Sequence, residues 1–246
     1  MALRFVDQTN QAKLKGIKDW IGYKPRVYAF SLPAGYSCPA ALECLSKANR
    51  ITGKVTDGKF AQYRCYAASD EAYSPQARAL RWDNFDQLRQ CKTSDDMASL
   101  LIDALPANAQ IVRVHVSGDF YSQAYFNSWL KVASQKPEVT FYAYTKSIPY
   151  WINQIDSIPA NLKLNASYGG RHDKLIDEHN LKSVRVVYDP VAAAVLSLEI
   201  DHTEQLAIQG TDNFALLLHG TQPSGSEAGK ALKSLRDRKI EHAYSR

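Results

Sequence analysis

Short apolar runs alternate along the chain with stretches of helical periodicity, and this alternation constrains the fold more than any other feature. Six of the runs have the length of a β-strand, and most of them are followed by a helical pattern. Such an alternation predicts parallel strands joined by right-handed crossovers. The runs are residues 26–31, 111–117, 139–144, 162–166, 183–188 and 214–219.

Two of these runs alternate between apolar and polar residues. In residues 112–117 the three valines share one strand face, whereas Arg113, His115 and Ser117 share the other, and residues 162–167 alternate in the same way. An open doubly wound sheet is buried on both faces and would give continuous apolar runs. We therefore predict an α/β fold, a parallel six-stranded partial TIM-type (β/α)6 barrel with a wet interior. The alternative is that these strands lie at sheet edges.

One domain accounts for the length of the chain, so we predict a single domain over residues 1–246. Its 45% hydrophobic and 22% charged residues exclude disorder, collagen and coiled coil. Residues 32–110 interrupt the alternation with turn-rich sequence and a capped helical pattern at 94–105. We predict that this stretch forms a cap, or insertion, across the carboxyl-terminal mouth of the barrel.

The cysteines of the chain are confined to its first 91 residues. The N-terminus lacks the apolar block of a signal peptide, and no run reaches the ~18 apolar residues of a membrane span. We therefore expect a cytoplasmic location in the host cell and no membrane partner. In that reducing compartment structural disulfides are rare, so the confinement indicates shared metal ligation. The predicted metal ligands are Cys38, Cys44, Cys65 and Cys91.

The spacing of the cysteines bears on which metal they would hold. Structural zinc sites use ligand pairs two to four residues apart, whereas five residues separate Cys38 from Cys44. An iron–sulfur cluster accepts ligands from several loops, so irregular spacing counts less against it. The spacing favours a cluster and leaves zinc open. Four unrelated buried thiols are the structural alternative.

Two local features resemble the radical S-adenosylmethionine enzymes. Cys38 and Cys44 follow the first strand, where that superfamily, which also uses a six-stranded partial barrel, holds its [4Fe–4S] cluster. The turn Ser117-Gly118-Asp119 is similar to the glycine-plus-acid turn that grips the methionine amino group. The resemblance implies a [4Fe–4S] cluster, with S-adenosylmethionine as a candidate second cofactor. The superfamily's CxxxCxxC spacing is absent, and four ligating cysteines would leave no iron open to that molecule.

A second resemblance extends over most of the chain. Residues 31–44, 114–122 and 141–146 are similar to a family of phage-encoded proteins known by a gene-product number. It implies that the protein works in an infected cell.

Polar side chains at the carboxyl ends of parallel strands form the remaining candidate site. Converging there, they would hold a small anionic or zwitterionic ligand. Catalytic residues are not assigned. The predicted cofactor-binding residues are Ser117, Gly118, Asp119, Lys146, Asn165 and Ser167.

Three functions follow from these features. The leading one is a phage-encoded protein with a [4Fe–4S] cluster on four cysteines, working in electron transfer or redox sensing with an unknown redox partner. The alternatives are a divergent radical S-adenosylmethionine enzyme with three ligating cysteines, and a zinc-stabilised module that binds nucleic acid. The net charge of +5 is modest, and the basic stretch at 230–239 lacks interleaved aromatic residues, so a nucleic-acid partner is not expected.

Overall fold

The structure is a computed structural model that describes residues 2–11, 14 and 16–240. The strands are β1 (Val6–Asp7), β2 (Val27–Phe30), β3 (Ser46–Ala48), β4 (Val55–Asp57), β5 (Ile111–Val114), β6 (Thr140–Thr145), β7 (Leu162–Ser167), β8 (Ser183–Val187), β9 (Glu199–Ile200) and β10 (Phe214–Leu217). The helices are α1 (Ile17–Ile21), α2 (Tyr66–Tyr73), α3 (Pro75–Gln90), α4 (Ser94–Ala104), α5 (Gln123–Gln135), α6 (Ile148–Ile152), α7 (Asp173–Glu178), α8 (Pro190–Val195), α9 (Gln205–Ile208) and α10 (Glu227–Asp237). None of these helices is long and apolar enough to cross a membrane.

Eight strands of the described chain form one sheet in the order β1-β2-β5-β6-β7-β8-β10-β9. β1 is antiparallel to β2, and the other pairs are parallel. The six strands β2, β5, β6, β7, β8 and β10 lie side by side in chain order. This order is expected when each crossover packs a helix against the sheet. The hairpin of β3 and β4 is a separate two-stranded sheet.

The predicted parallel six-stranded partial (β/α)6 barrel is wrong. The six predicted runs do supply β2, β5, β6, β7, β8 and β10, but the sheet has eight strands and an antiparallel edge pair. β1 occupies the outer edge of β2, and β9 occupies the outer edge of β10. The two strands that a closing barrel would bring together therefore already have other partners. Both edge strands are two residues long, which is too short to leave a period-two pattern in the sequence.

The wet interior is also wrong, because both faces of the sheet are covered. α4 and α5 pack on one face, and the short helices α1 and α9 cover the other. Arg113 does face away from α5, as its alternation predicts, but it pairs with the buried Glu204 and is itself mostly buried. The first face includes Phe30, Val112, Phe141, Leu164 and Trp129, and the second includes Ile17, Val27, Ile111, Tyr142 and Phe214.

The helices on the first face begin where the sequence supplies caps. Thr93 and Asp96 form a capping box at the start of α4, and the Ser122 side chain accepts a hydrogen bond from Tyr125 N at the start of α5. α5 then buries a continuous stripe that includes Trp129. Burial of each large apolar side chain contributes about 1.5–3 kcal/mol, so this stripe holds the helix on the sheet.

Residues 32–110 separate into two parts. The segment 32–73 lies against the carboxyl ends of the strands, where Leu32 N donates to Ser117 O at 2.8 Å and the Tyr66 hydroxyl donates to the Val116 carbonyl. α4, by contrast, packs beside α5 on the sheet face. The part of this stretch that positions the candidate site is therefore 32–73.

Candidate functional site

The loop that carries Cys38 and Cys44 is held by main-chain hydrogen bonds. The backbone N–H groups of Leu42 and Glu43 donate to the carbonyl of Gly169, just after β7, at 3.3 and 2.9 Å. Arg171 N donates back to the Ala40 carbonyl at 2.9 Å. The position of both cysteines is thus set by backbone pairing with the carboxyl end of β7.

Cys65 reaches the same region from a different segment. It is the N-cap residue of α2, and its own N–H donates to the Ser46 hydroxyl on β3 at 3.1 Å. The backbone N–H groups of Ala67 and Ala68, in the first turn of the helix, act to lower the pKa of its thiol. The N-terminus of a helix favours a negative charge, so this position suits a thiolate ligand.

Cys38, Cys44 and Cys65, here called the cysteine triad, act on one another electrostatically. Burial raises the pKa of the Cys38 thiol well above its usual value, and the charges of Asp119, Cys65 and Cys44 raise it further. Burial also raises the pKa of Cys44, against the opposing effect of Lys146, and raises the pKa of Cys65 to about 12. Without a compensating cation these thiols stay protonated at neutral pH.

Cys91 lies elsewhere. It is the C-cap residue of α3, its Sγ is 3.7 Å from the Gln87 carbonyl, and its side chain packs against the core beneath α4 and α5. Burial and the Asp96 carboxylate raise its pKa, and the triad is not among the causes. α3 has 16 residues and is therefore about 24 Å long, which carries Cys91 away from Cys65. The structure brings three of the four predicted metal ligands together and leaves the fourth apart.

The triad supplies three soft thiol donors from two segments, and each needs a cation to deprotonate at neutral pH. Thiolates of this kind ligate both zinc and iron–sulfur clusters. No group of three or more His, Cys, Asp or Glu side chains within residues 2–11, 14 and 16–240 is arranged to hold one metal ion.

The turn Ser117-Gly118-Asp119 lies beside the loop 31–44, which carries Cys38 and Cys44 and is here called the triad loop. Gly118 has a φ of +90°, and a Cβ there would stand 2.5 Å from Ser37 Oγ and 2.7 Å from Leu32 Cβ. Glycine is required because Ser37 and Leu32 approach the turn so closely.

Asp119 and Lys146 are buried and hydrogen-bonded within the protein. The Asp119 carboxylate accepts bonds from Phe120 N, Thr145 Oγ1 and Lys146 N at 2.7, 2.6 and 2.8 Å. Burial raises its pKa in spite of these bonds. The Lys146 Nζ donates to Ser167 Oγ at 2.7 Å and to the Tyr168 carbonyl. Asp119, Lys146 and Ser167 are therefore brought together, as expected, around the carboxyl ends of β6 and β7.

Asn165 is the predicted site residue that points elsewhere. Its side-chain amide donates to the carbonyls of Ala143 and Ala207 at 3.2 and 3.1 Å. It therefore fastens α9 to the sheet, two residues before Ser167 along β7.

Glu71 is a residue of the site that the sequence reading missed. It is fully buried on α2, accepts bonds from Ala34 N and Ser117 Oγ at 2.9 and 3.1 Å, and pairs with Arg81. It links the helix after Cys65 to the triad loop and to the turn after β5. A single glutamate in a short polar helix has no distinguishing pattern, so no sequence signal could have identified it.

The fold and the site define an α/β protein with a partly buried cysteine triad at the carboxyl edge of a mostly parallel sheet. The chain belongs to the Gene product 88 family, which matches residues 3–240. It is 27% identical over 128 residues to the Gene 88 proteins of Mycobacterium phage L5 and Mycobacterium phage D29, a match that covers 48% of this chain and 47% of each relative. The chain thus spans about half the length of the curated relatives it matches. No solved structure matches the chain. The resemblance to a phage gene-product family is confirmed.

Proposed function

We propose that this protein is an iron–sulfur protein of the infected cell in which Cys38, Cys44 and Cys65 ligate a [4Fe–4S] cluster. The observation that carries the proposal is the convergence of three partly buried thiols, from two segments, at the carboxyl edge of the sheet. Buried thiols are costly to ionise alone, and a cluster compensates their charge. Unpaired thiols also suit a reducing compartment, so we place the protein in the host cytoplasm.

When bound, the cluster would supply one-electron redox chemistry. The chain's own residues would hold and tune it. The backbone N–H groups at the start of α2 act on the Cys65 thiol, and the positive charge of Lys146 acts on Cys44. Hydrogen bonds and positive charge near the sulfurs stabilise the reduced cluster and raise its potential. Electron transfer or redox sensing, with an unidentified partner, is the function that this environment supports best.

The zinc alternative is weaker on this geometry. A structural zinc site needs four ligands around one ion, and no such group of side chains occurs in the described part of the chain. A cluster on four cysteines would require Cys91 to leave its place at the end of α3, where it packs against the core. The triad alone is therefore the proposed ligand set.

The test is the iron and acid-labile sulfide content of anaerobically purified protein. We expect about four of each per chain and absorption near ~400 nm. Cys38→Ala, Cys44→Ala and Cys65→Ala should each lower the iron content, whereas the matched control Cys91→Ala should keep it. Circular dichroism of each variant separates loss of ligand from loss of fold. Zinc in place of iron, or equal iron loss in Cys91→Ala, would contradict the proposal.

A second candidate function is a divergent radical S-adenosylmethionine enzyme, and it is favoured by one observation. The triad offers three ligands, so a four-iron cluster would keep one position for an exchangeable molecule. The measurement is 5′-deoxyadenosine formed from S-adenosylmethionine by dithionite-reduced protein, with Cys65→Ala as control. Product above that control would make the protein an enzyme, and product equal to the control would leave the redox role.

A further inference from the structure

A surface cleft of about 490 Å³ lies along the first half of α3, and no residue of the cysteine triad lines it. Its volume is in the range of sites that bind small organic ligands. Its wall combines the turn of the β3–β4 hairpin, the first half of α3 and one residue of the N-terminal segment. The residues used below are Arg4, Arg50, Pro75, Arg78, Trp82 and Asp83.

Positive charge dominates the lining of the cleft, with three arginines against one aspartate. Arg78 is 7% exposed. Its guanidinium donates to the carbonyls of Arg50, Ile51 and Glu71, so neutral oxygens fix it in place. Three of its five N–H groups are used in this way, and its full charge stays beside the cleft.

The other two arginines are held loosely and can turn toward a ligand. Arg50 pairs with Asp86 at 2.6 Å and Arg4 pairs with Asp83 at 3.0 Å, and about half of each arginine side chain is exposed. Exposed ion pairs of this kind are worth little, so exchange of the carboxylate for a stronger anion costs little. The Arg50 guanidinium also lies 4.7 Å from the centre of the Trp82 ring, which orients it over an aromatic wall.

The first turn of α3 contributes a further positive element. The helix has 16 residues and begins at Pro75, which lines the cleft. The N-terminal end of a helix carries partial positive charge and favours anions. A helix end, a buried arginine and two half-exposed arginines thus line one volume.

We propose that this cleft binds a phosphate-bearing ligand of nucleotide size. Arginine forks match phosphate oxygens in bidentate fashion, and the volume exceeds what inorganic phosphate fills. A free nucleotide and the end of a nucleic-acid strand share this chemistry. Both are distinguished by the experiment, and neither depends on metal at the triad.

The test uses ATP, inorganic phosphate and a 5′-fluorescein dT12 oligonucleotide as probes, with calorimetry and fluorescence anisotropy. Ala79 is exposed, lines the cleft and lies on α3. Ala79→Glu places a carboxylate in the cleft without removing a contact, and we expect it to weaken ATP binding by about tenfold or more. Ala194→Glu, at an exposed position of α8, is the matched control and should bind as the wild type does.

A second variant keeps the proposal testable if Ala79→Glu unfolds. Arg50→Gln removes one exposed guanidinium and should weaken the same probe several-fold at low salt, with a smaller effect at ~0.15 M salt. Tighter binding of dT12 than of ATP, lost in the same variants, would assign the phosphate to nucleic acid. Failure of every probe to bind at millimolar concentration, or equal binding by Ala79→Glu and Ala194→Glu, would overturn the proposal.

Discussion

The two faces of the eight-stranded sheet are buried by different means. The face beneath α4 and α5 is closed by hydrocarbon and aromatic packing, with Trp129 in contact with Phe5, Phe30 and Phe141. The face beneath α1 and α9 has a smaller apolar cluster and a buried ion pair between Arg113 and Glu204 at 3.1 Å. Long helices can close a face with apolar surface alone, whereas helices of four or five residues leave polar groups to be matched with one another.

This difference predicts which substitutions lower the free energy of unfolding most on each face. On the first face the free energy of unfolding depends on filled volume, so removal of side-chain atoms is costly. On the second face it depends on matched pairs, so removal of one partner costs more than removal of both. The following variants test that distinction, and each is measured by urea unfolding.

The largest expected loss of unfolding free energy is on the face beneath α4 and α5, here called the packed face. Trp129→Ala should reduce the free energy of unfolding by about 4 kcal/mol, because Trp129 is fully buried and the cavity left behind cannot collapse among so many rings. Phe5→Ala, at the partly buried margin of the same cluster, is the control and should cost less. Equal losses in the two variants would contradict the view that packed volume decides stability here.

Arg113→Met tests the face beneath α1 and α9, here called the polar face. It should cost about 3 kcal/mol, since it removes the Arg113 guanidinium from the buried Glu204 carboxylate. The double variant Arg113→Met/Glu204→Gln should recover most of that loss because the charge is removed as well. A double variant no more stable than the single one would show that the pair acts through shape and not through charge.

The pH dependence of stability sharpens the comparison at His115. Burial lowers the pKa of this imidazole to about 3, among Phe120, Tyr125 and Trp129 of the packed face. The unfolded chain binds a proton near pH ~6.5, so the stability that neutral His115 supplies above that pH is lost as pH falls toward 3. Between pH 7 and 5 the loss should be about 2 kcal/mol, and His115→Gln should show a correspondingly flatter profile.

The smallest effects separate two neighbouring tyrosines on the polar face. The Tyr144 hydroxyl donates to the Glu204 carboxylate, so Tyr144→Phe should cost about 1.5 kcal/mol. The Tyr142 hydroxyl is buried and has no hydrogen-bond partner among the described residues, so Tyr142→Phe should be close to neutral. If the two variants lower the free energy of unfolding equally, matched polar pairs do not determine the stability of this face.

The sequence predicted the main strands of this fold better than it predicted the edges of the sheet and the cover of its second face. Period-two and apolar patterns are local, so the runs behind β5 and β7 are visible in the chain. The edges of the sheet depend on β1 and β9, and the cover of its second face depends on α1 and α9. Elements of two to five residues carry too few positions for a period to show, and the predicted barrel and wet interior were wrong for that reason.

For the candidate site, too, the sequence predicts some features, and others depend on tertiary packing. Confinement of the cysteines to one part of the chain predicts proximity, and the three thiols of the triad lie close enough to act on one another electrostatically. This confinement could not place Cys91, because a 16-residue helix converts a short separation in sequence into a long one in space. Asp119 and Lys146 meet because both follow strands that are neighbours in the sheet, which the strand order predicts. The buried contacts of Glu71 depend on tertiary packing and have no counterpart in the sequence.

The main-chain fastening of the triad loop has an evolutionary consequence. Every residue has a main-chain carbonyl, and every residue except proline has a main-chain N–H, so the hydrogen bonds from Leu42 and Glu43 to Gly169 survive most substitutions at those positions. Mutations can accumulate along 39–43 while the two thiols that flank this segment keep their places. Members of the family can thereby exchange side chains around the site without moving its thiols.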